Sequence, residues 1–408
     1  MFSGYAERKG MKQGKPHQTD SILVKSFVNG VHNQRLQYST NRRGAYMTVI
    51  GSVGTSLPKF TLKQEEIKTL IEKIFPRPER ELKRLLPVFE HAAVEQRQFV
   101  VPKSWFTEPH SFVERNDIYQ KEALQHSISA IDACLQNEDF LIKAIPHEAI
   151  DSIIFVSSTG ISTPSVDAYI INQRDFREDV RRIPLWGLGC AGGASGLARA
   201  HEWLTANPTK TSLVVSVELC SLTFQKEDDR KSNFIGTALF GDGIAAALLI
   251  GDESPYQAYR KKAGPRITKV DSKTKKASLD VMGWEIGNHG FEVIFAKSIP
   301  QLVETFWKEH VQLFLKEQNS KKNDYAFFIA HPGGKKVLQS IESVLQITQS
   351  KLQHSYEVLK RHGNMSSATV LYILQKWMQE DITPGERSLL SALGPGFSSE
   401  LLELEWSS

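Results

Sequence analysis

Cysteine is scarce in this chain of 408 residues. Cys134, Cys190 and Cys220 are neither paired at short spacing nor set beside a Cys/His cluster, so no disulfide frame and no zinc site is expected. A reducing, cytoplasmic setting follows. No run of about 18 apolar residues could span a bilayer, and the N-terminus lacks the apolar core of a signal peptide, so no membrane insertion is expected. Excess charge is also small, at +4, and it is unevenly placed. Residues 1–46 hold eight Lys and Arg against Glu7 and Asp20, which leaves the remainder at about −2. That basic arm lacks aromatic interleaving and periodicity, and no nucleic-acid partner is expected from it.

What is present is the composition of an ordinary globular protein, with 40% hydrophobic and 24% charged residues and enough chain for an ample core. Regular patterning begins at Met47 with Thr48-Val49-Ile50-Gly51, so the folded body is placed at 47–408. Residues 1–46 are expected to be either a disordered extension or a product of start-site assignment, because Arg42-Arg43-Gly44 fits a purine-rich run just ahead of Met47. Within the body, short apolar runs alternate with amphipathic stretches, which gives an α/β class. Strands are expected at Ile153–Ser157, Leu213–Glu218, Ala245–Ile250, Tyr325–Ala330 and Leu401–Trp406. Helices are expected at Gly192–Leu204, Lys335–Val344 and Ala368–Met378.

The chain also repeats itself loosely. A strand ends in polar residues at Ser158, and 32 positions later a Gly-rich turn delivers Cys190 to a helix start. A second strand ends at His331, and 33 positions later Arg361-His362-Gly363 delivers Asn364 to a helix start. Each half closes with a Gly-rich turn and a strand, through Leu239-Phe240-Gly241-Asp242-Gly243 in one and Leu393-Gly394-Pro395-Gly396-Phe397 in the other. Halves of 47–255 and 256–408, related by a pseudo-two-fold axis, would bring both sets of strand ends to one site.

Three residues stand out for chemistry, each with a plainer alternative. Cys190 sits in Gly187-Leu188-Gly189-Cys190-Ala191-Gly192-Gly193, where glycines permit a sharp bend and a helix N-terminus favours thiolate. It could equally be a small buried cysteine on a tightly packed helix. His331, projected off a strand end, could serve as base and ion-pair partner to that thiolate, or be a surface or capping histidine. Asn364 could be catalytic or simply a helix cap.

These segments, with His331-Pro332-Gly333-Gly334 and Gly363-Asn364-Met365-Ser366-Ser367-Ala368, resemble the type III polyketide synthases, the chalcone-synthase-like branch of the thiolase superfamily. The resemblance covers most of 47–408. It implies a thiolase-like fold of two duplicated α/β halves in αβαβα layers, a homodimer, and no metal or redox cofactor. It further implies a Cys190-His331-Asn364 triad acting on acyl-CoA and malonyl-CoA, with Cys190 acylated and the other two holding the malonyl thioester carbonyl. Phe240 matches the family's gatekeeper aromatic, the alternative being a plain core residue.

Val293 stands where plant members carry Phe, and Thr163 where they carry a Met that crosses the dimer contact. Room beside the site then implies a long-chain fatty acyl starter and alkylpyrone or alkylresorcinol products. Ser158, Thr223 and Ser366 are expected to line the cavity, together with Gly333 and Gly334. Lys83, Arg84, Arg97, Lys335 and Lys336 are candidates for the CoA phosphates. Two other readings use the same residues or fold: a ketosynthase III-like single condensation, and a non-catalytic lipid-binding or assembly protein.

Overall fold

The computed structural model describes residues 47–407 except 76, 262 and 263; the expected extension 1–46 lies outside the described residues. Among the described residues, thirteen strands are present in chain order: β1 (Thr48–Ser56), β2 (Phe60–Lys63), β3 (Gln96–Phe99), β4 (Ser152–Ser157), β5 (Arg181–Trp186), β6 (Thr211–Leu219), β7 (Asp242–Ile250), β8 (Pro265–Thr274), β9 (Met282–Gly287), β10 (Gly290–Phe295), β11 (Phe327–Ala330), β12 (Arg387–Gly394) and β13 (Ser398–Trp406). Nine form one sheet in the order β11-β12-β13-β8-β1-β7-β6-β4-β5, while β2 pairs with β3 and β9 with β10. The two arms of the sheet are built alike. In β1-β7-β6-β4, the first two pairs are antiparallel and the third parallel, and β8-β13-β12-β11 repeats that order. Chain 251–264, which contains residue 255, connects the arms between β7 and β8.

Strands β4, β6 and β7 are buried at every position, as expected of near-continuous apolar runs covered on both faces. Alternation along the second arm feeds two cores: Phe327, Leu390 and Leu402 join the main one, and Phe328, Leu389 and Leu401 join a smaller one.

The helices that matter for the site are α1 (Gln64–Ile74), α2 (Phe112–Leu135), α3 (Gly192–Ala206), α4 (Lys231–Leu239), α5 (Lys335–Leu345) and α6 (Thr369–Gln379). Ser111 caps α2 with Glu114 in a reciprocal box, and the helix then lies across β1 and β7. α3 packs on β4 and β6 of one arm and on β12 and β13 of the other. Its first turn approaches the start of α6 so closely that a Cβ on Gly193 would stand 2.2 Å from the Ser367 carbonyl oxygen. Only glycine fits there, and the contact seats the two helix starts side by side.

Candidate active site

Cys190 lies in a single 3-10 turn, Gly189–Ala191, that runs directly into α3. Left-handed φ angles at Gly187 (84°) and Gly189 (46°) make the bend, and a Cβ on Gly189 would meet the Pro395 ring at 2.7 Å. The elbow is therefore wedged against the end of β12.

Asn364 follows a helix, Gln353–His362, that stops at Gly363 with φ of 68°. It then forms an isolated parallel bridge with Phe240: the Asn364 N–H donates to the Leu239 carbonyl at 2.8 Å, and the Asn364 carbonyl accepts from the Gly241 N–H at 3.0 Å. Its carboxamide reaches Cys190, with Oδ1 at 3.8 Å and Nδ2 at 3.9 Å from Sγ. Oδ1 also accepts from the Ser366 N–H at 2.8 Å. The N-cap position itself falls to Met365, so the Asn364 side chain holds the backbone two residues on while lying beside the thiol.

His331 sits just beyond β11, its N–H donating to the Ser391 carbonyl of β12 at 2.8 Å. The residue is 5% exposed, and neither ring nitrogen has a hydrogen-bond partner among the described residues. That is a costly state for a polar ring, and one that a hydrogen-bonding substrate atom would relieve. Three residues beyond Ser391, Gly394 packs on Ala191, beside Cys190, while Gly334 packs on Leu239, beside Phe240. The loops carrying Cys190, His331 and Asn364 converge in this way on the Leu239-Phe240 segment and the end of β12.

Burial opposes charge on both groups. It pushes the Cys190 thiol up to about 12, with the negative charge at Glu218 acting in the same direction, against hydrogen bonds from Ser366 and Asn364. It pulls His331 down to about 3. Desolvation therefore opposes the charged form of each group, against the helix field that favours thiolate at Cys190.

A stability prediction follows for His331. In the unfolded chain its ring protonates near 6.5, and in the folded chain only near 3. Between those values the unfolded state binds more protons, so His331's contribution is complete above 6.5 and declines as pH falls. Melting of wild type and of His331→Gln at about pH 7.5 and about pH 5 should show a smaller acid-side loss in the variant. Equal losses would mean that burial does not hold this ring neutral.

The residues expected to line the cavity separate into groups. Phe240, Val293 and Ser366 share a chamber with Cys190, Trp284 and Pro395. Phe240, Trp284 and Val293 also bound a second, mostly apolar pocket that holds Thr223, Leu70 and Ile71 of α1, Phe106 and Phe224. Gly333 and Gly334 line a third cavity with Arg84, Lys335 and Lys336. Ser158 is buried, its hydroxyl donating at 2.9 Å to Glu218, which also accepts from Ser366 of the chamber wall. Arg97 is a correction. It is 0% exposed, so it cannot reach a solvent-borne phosphate. Lys83 is exposed and paired with Glu79 at 2.7 Å on its own helix.

Sequence reasoning missed Glu218 and Trp284. Glu218 is fully buried at the end of β6 and accepts hydrogen bonds from Ser158, Ser366 and Ser367. Burial holds its carboxyl above the ordinary carboxylate range. A lone acid closing an otherwise apolar strand is the available signal. Trp284 lies opposite Val293 in the β9-β10 pair, a neighbour that only the hairpin register reveals.

Among the described residues, no helix is long and apolar enough to cross a membrane. Family models for the N-terminal and C-terminal domains of chalcone and stilbene synthases match residues 36–254 and 275–405. The chain is 48% identical to the "Putative chalcone synthase" of Bacillus subtilis (strain 168), covering 88% of this chain and 99% of that one. It is 32% identical to a 1,3,6,8-tetrahydroxynaphthalene synthase of Streptomyces peucetius subsp. caesius, over 88% of this chain and 93% of that one. The crystal structure of 1,3,6,8-tetrahydroxynaphthalene synthase from Streptomyces coelicolor A3(2), a bacterial type III polyketide synthase, superposes with a TM-score of 0.80 at 28% identity, over 88% of this chain and 99% of that one. With both domains matched in order and the thiolase-like architecture shared throughout, the chain belongs to the chalcone and stilbene synthase family and is an enzyme of the type III polyketide synthase class.

Proposed function

We propose that the protein condenses a long-chain fatty acyl-CoA with malonyl-CoA by decarboxylative Claisen chemistry and releases alkylpyrone or alkylresorcinol-type products. The observation that carries this reading is the placing of the Asn364 carboxamide against Cys190 Sγ, in a chamber whose walls at Phe240, Trp284 and Val293 are shared with an apolar pocket.

In the reaction, the Cys190 proton passes to His331 as sulfur attacks the starter thioester, and CoA leaves carrying a proton. Malonyl-CoA then loses CO₂, and the electrons of the broken bond form an enolate whose oxygen is held by the imidazole N–H and the Asn364 N–H₂. The enolate carbon attacks the acyl carbon on Cys190 and expels the thiolate. Phe240 lowers the dielectric around the malonyl carboxylate, which favours its departure as neutral CO₂. Gly333 and Gly334 belong to the cavity by which the CoA arm would enter, with Arg84, Lys335 and Lys336 as its basic residues.

A fatty tail would run past Val293 into the apolar pocket. Each methylene buried there contributes about 0.8 kcal/mol, so four extra carbons favour a longer starter by roughly a hundredfold. Val293→Phe should therefore shift preference toward short starters and leave malonyl decarboxylation largely intact. Product mass spectra from a C2–C18 acyl-CoA panel check this, and an unaltered chain-length profile in the variant would refute the passage. Trp284 narrows the same walls, and relatives are named for small aromatic products such as phloroglucinol. A preference for acetyl or aromatic starters in that panel would establish this second reading.

The reading includes a homodimer, supported by the open edge of β5 and by exposed Ile161, Tyr169 and Trp186 near it. Sedimentation of the full chain should give twice 45.9 kDa, and a monomer would contradict it.

A further inference from the structure

Strand β3 fastens together two segments of the site. On one side the Glu95 N–H donates to the Lys360 carbonyl at 2.8 Å, and the Gln98 amide oxygen meets His362 Nδ1 at 2.8 Å, both just ahead of Asn364. On the other side Arg97 reaches the C-terminal end of α4. Its Nη1 donates to the carbonyls of Thr237 at 2.6 Å and Phe240 at 2.8 Å, and its Nη2 donates to Gln64 Oε1 at 2.7 Å. Gln64 in turn donates to the Ala238 carbonyl at 2.9 Å and the Phe89 carbonyl at 3.2 Å. Carbonyls left over at a helix end carry the negative pole of the macrodipole, which a cation complements.

The stem of Arg97 is placed just as closely. A Cβ on Gly241 would lie 3.3 Å from Arg97 Cβ and Cγ, and a Cβ on Gly363 would lie 2.7 Å from Arg97 Cδ. Those glycines immediately follow Phe240 and precede Asn364, so the arginine runs along the bridge that joins the two. We propose that Arg97 is a positioning residue that sets the register of Phe240 against Asn364 and thereby aims the Asn364 carboxamide at the malonyl thioester. This rests on the function proposed above.

Two further features fit the role. A fully buried guanidinium with no hydrogen-bonded carboxylate among the described residues is expensive to maintain, and its forked donors serve three acceptors in directions a lysine ammonium cannot reproduce together. Burial lowers its pKa only to about 9, opposed by Asp242, so it remains a cation near neutral pH.

The test uses the full chain as wild type, Arg97→Lys, Arg97→Met and Gln64→Met. Loading of Cys190 is read by intact mass with the acyl-CoA that best loads the wild type, and malonyl-CoA decarboxylation is read without starter as kcat and KM. Arg97→Met should lose about tenfold or more in kcat for decarboxylation, with loading within about twofold of wild type, as expected for a displacement near 1 Å of an orienting group. Arg97→Lys should fall between. A merely structural role would lower loading and decarboxylation together, in proportion to folded protein, and that parallel loss would overturn the proposal, as would no loss at all. Should Arg97→Met fail to fold, Gln64→Met strips one partner from the fork, and an unchanged ratio of decarboxylation to loading there would equally overturn it. Wild-type protein that loads but releases no CO₂ would refute the proposed function itself, and the positioning role with it.

Discussion

Cys190→Ala is expected to abolish product formation entirely while melting close to wild type. Removal of one sulfur at the start of α3 leaves the Gly187 and Gly189 bend, the Pro395 contact and the helix unchanged, because none of them uses the thiol. Sγ stands 3.8 and 3.9 Å from the Asn364 carboxamide atoms, too far for that pairing to hold the fold. The proposed reaction, in contrast, holds the acyl chain on that sulfur. Cys134 lies on α2, buried and directed at the Ser52 carbonyl, and Cys220 lines the apolar pocket. Alanine at either should be tolerated far better than at 190. Chromatography of products from acyl-CoA and malonyl-CoA checks this, and undiminished product from Cys190→Ala would end the assignment.

For Asn364, the second large effect, the expected loss is roughly a hundredfold or more in malonyl decarboxylation on replacement by alanine, the scale of a missing oxyanion donor. Starter loading should suffer less, whereas His331→Ala should damage both steps, since in the proposed mechanism the imidazole serves the thiol as well as the enolate. Alanine confounds two roles, however, because Asn364 Oδ1 also caps the Ser366 N–H. Asn364→Asp separates them. An aspartate keeps an oxygen for the cap but has no N–H₂ to offer an enolate, so it should melt nearer to wild type than the alanine variant and decarboxylate no better. Wild-type decarboxylation by Asn364→Asp would show that the donor is not what matters, and equal loss of loading in Asn364→Ala and His331→Ala would refute the division of labour.

The sequence discloses those parts of the molecule whose cause is local. β4, β6 and β7 are legible because strands covered on both faces must be apolar throughout, and their ends lie within three residues of those expected. β5 and β8 escape notice because arginine, lysine and aspartate on their open faces break the apolar run. Gly-rich turns betray Cys190 and Asn364, since a sharp bend into a helix needs glycine. What the sequence does not disclose is set by encounters across the chain. Arg97 reads as a surface cation until Gly241 and Gly363, 144 and 266 residues away, are seen to enclose it. Glu218 reads as the end of a strand until three serines from two distant loops surround it. Protonation is of the same kind: the helix start argues for thiolate, and only the closed chamber adds the desolvation that opposes it.

The central claim, that Cys190 carries the growing chain, is tested most directly by peptide mass spectrometry of the enzyme quenched during turnover with an acyl-CoA starter and malonyl-CoA. The account predicts the starter acyl group on the peptide containing Cys190, followed by species heavier by successive two-carbon ketide units on that same peptide. Acyl groups on the Cys134 or Cys220 peptide instead, or product accumulating with no covalent adduct at all, would contradict it.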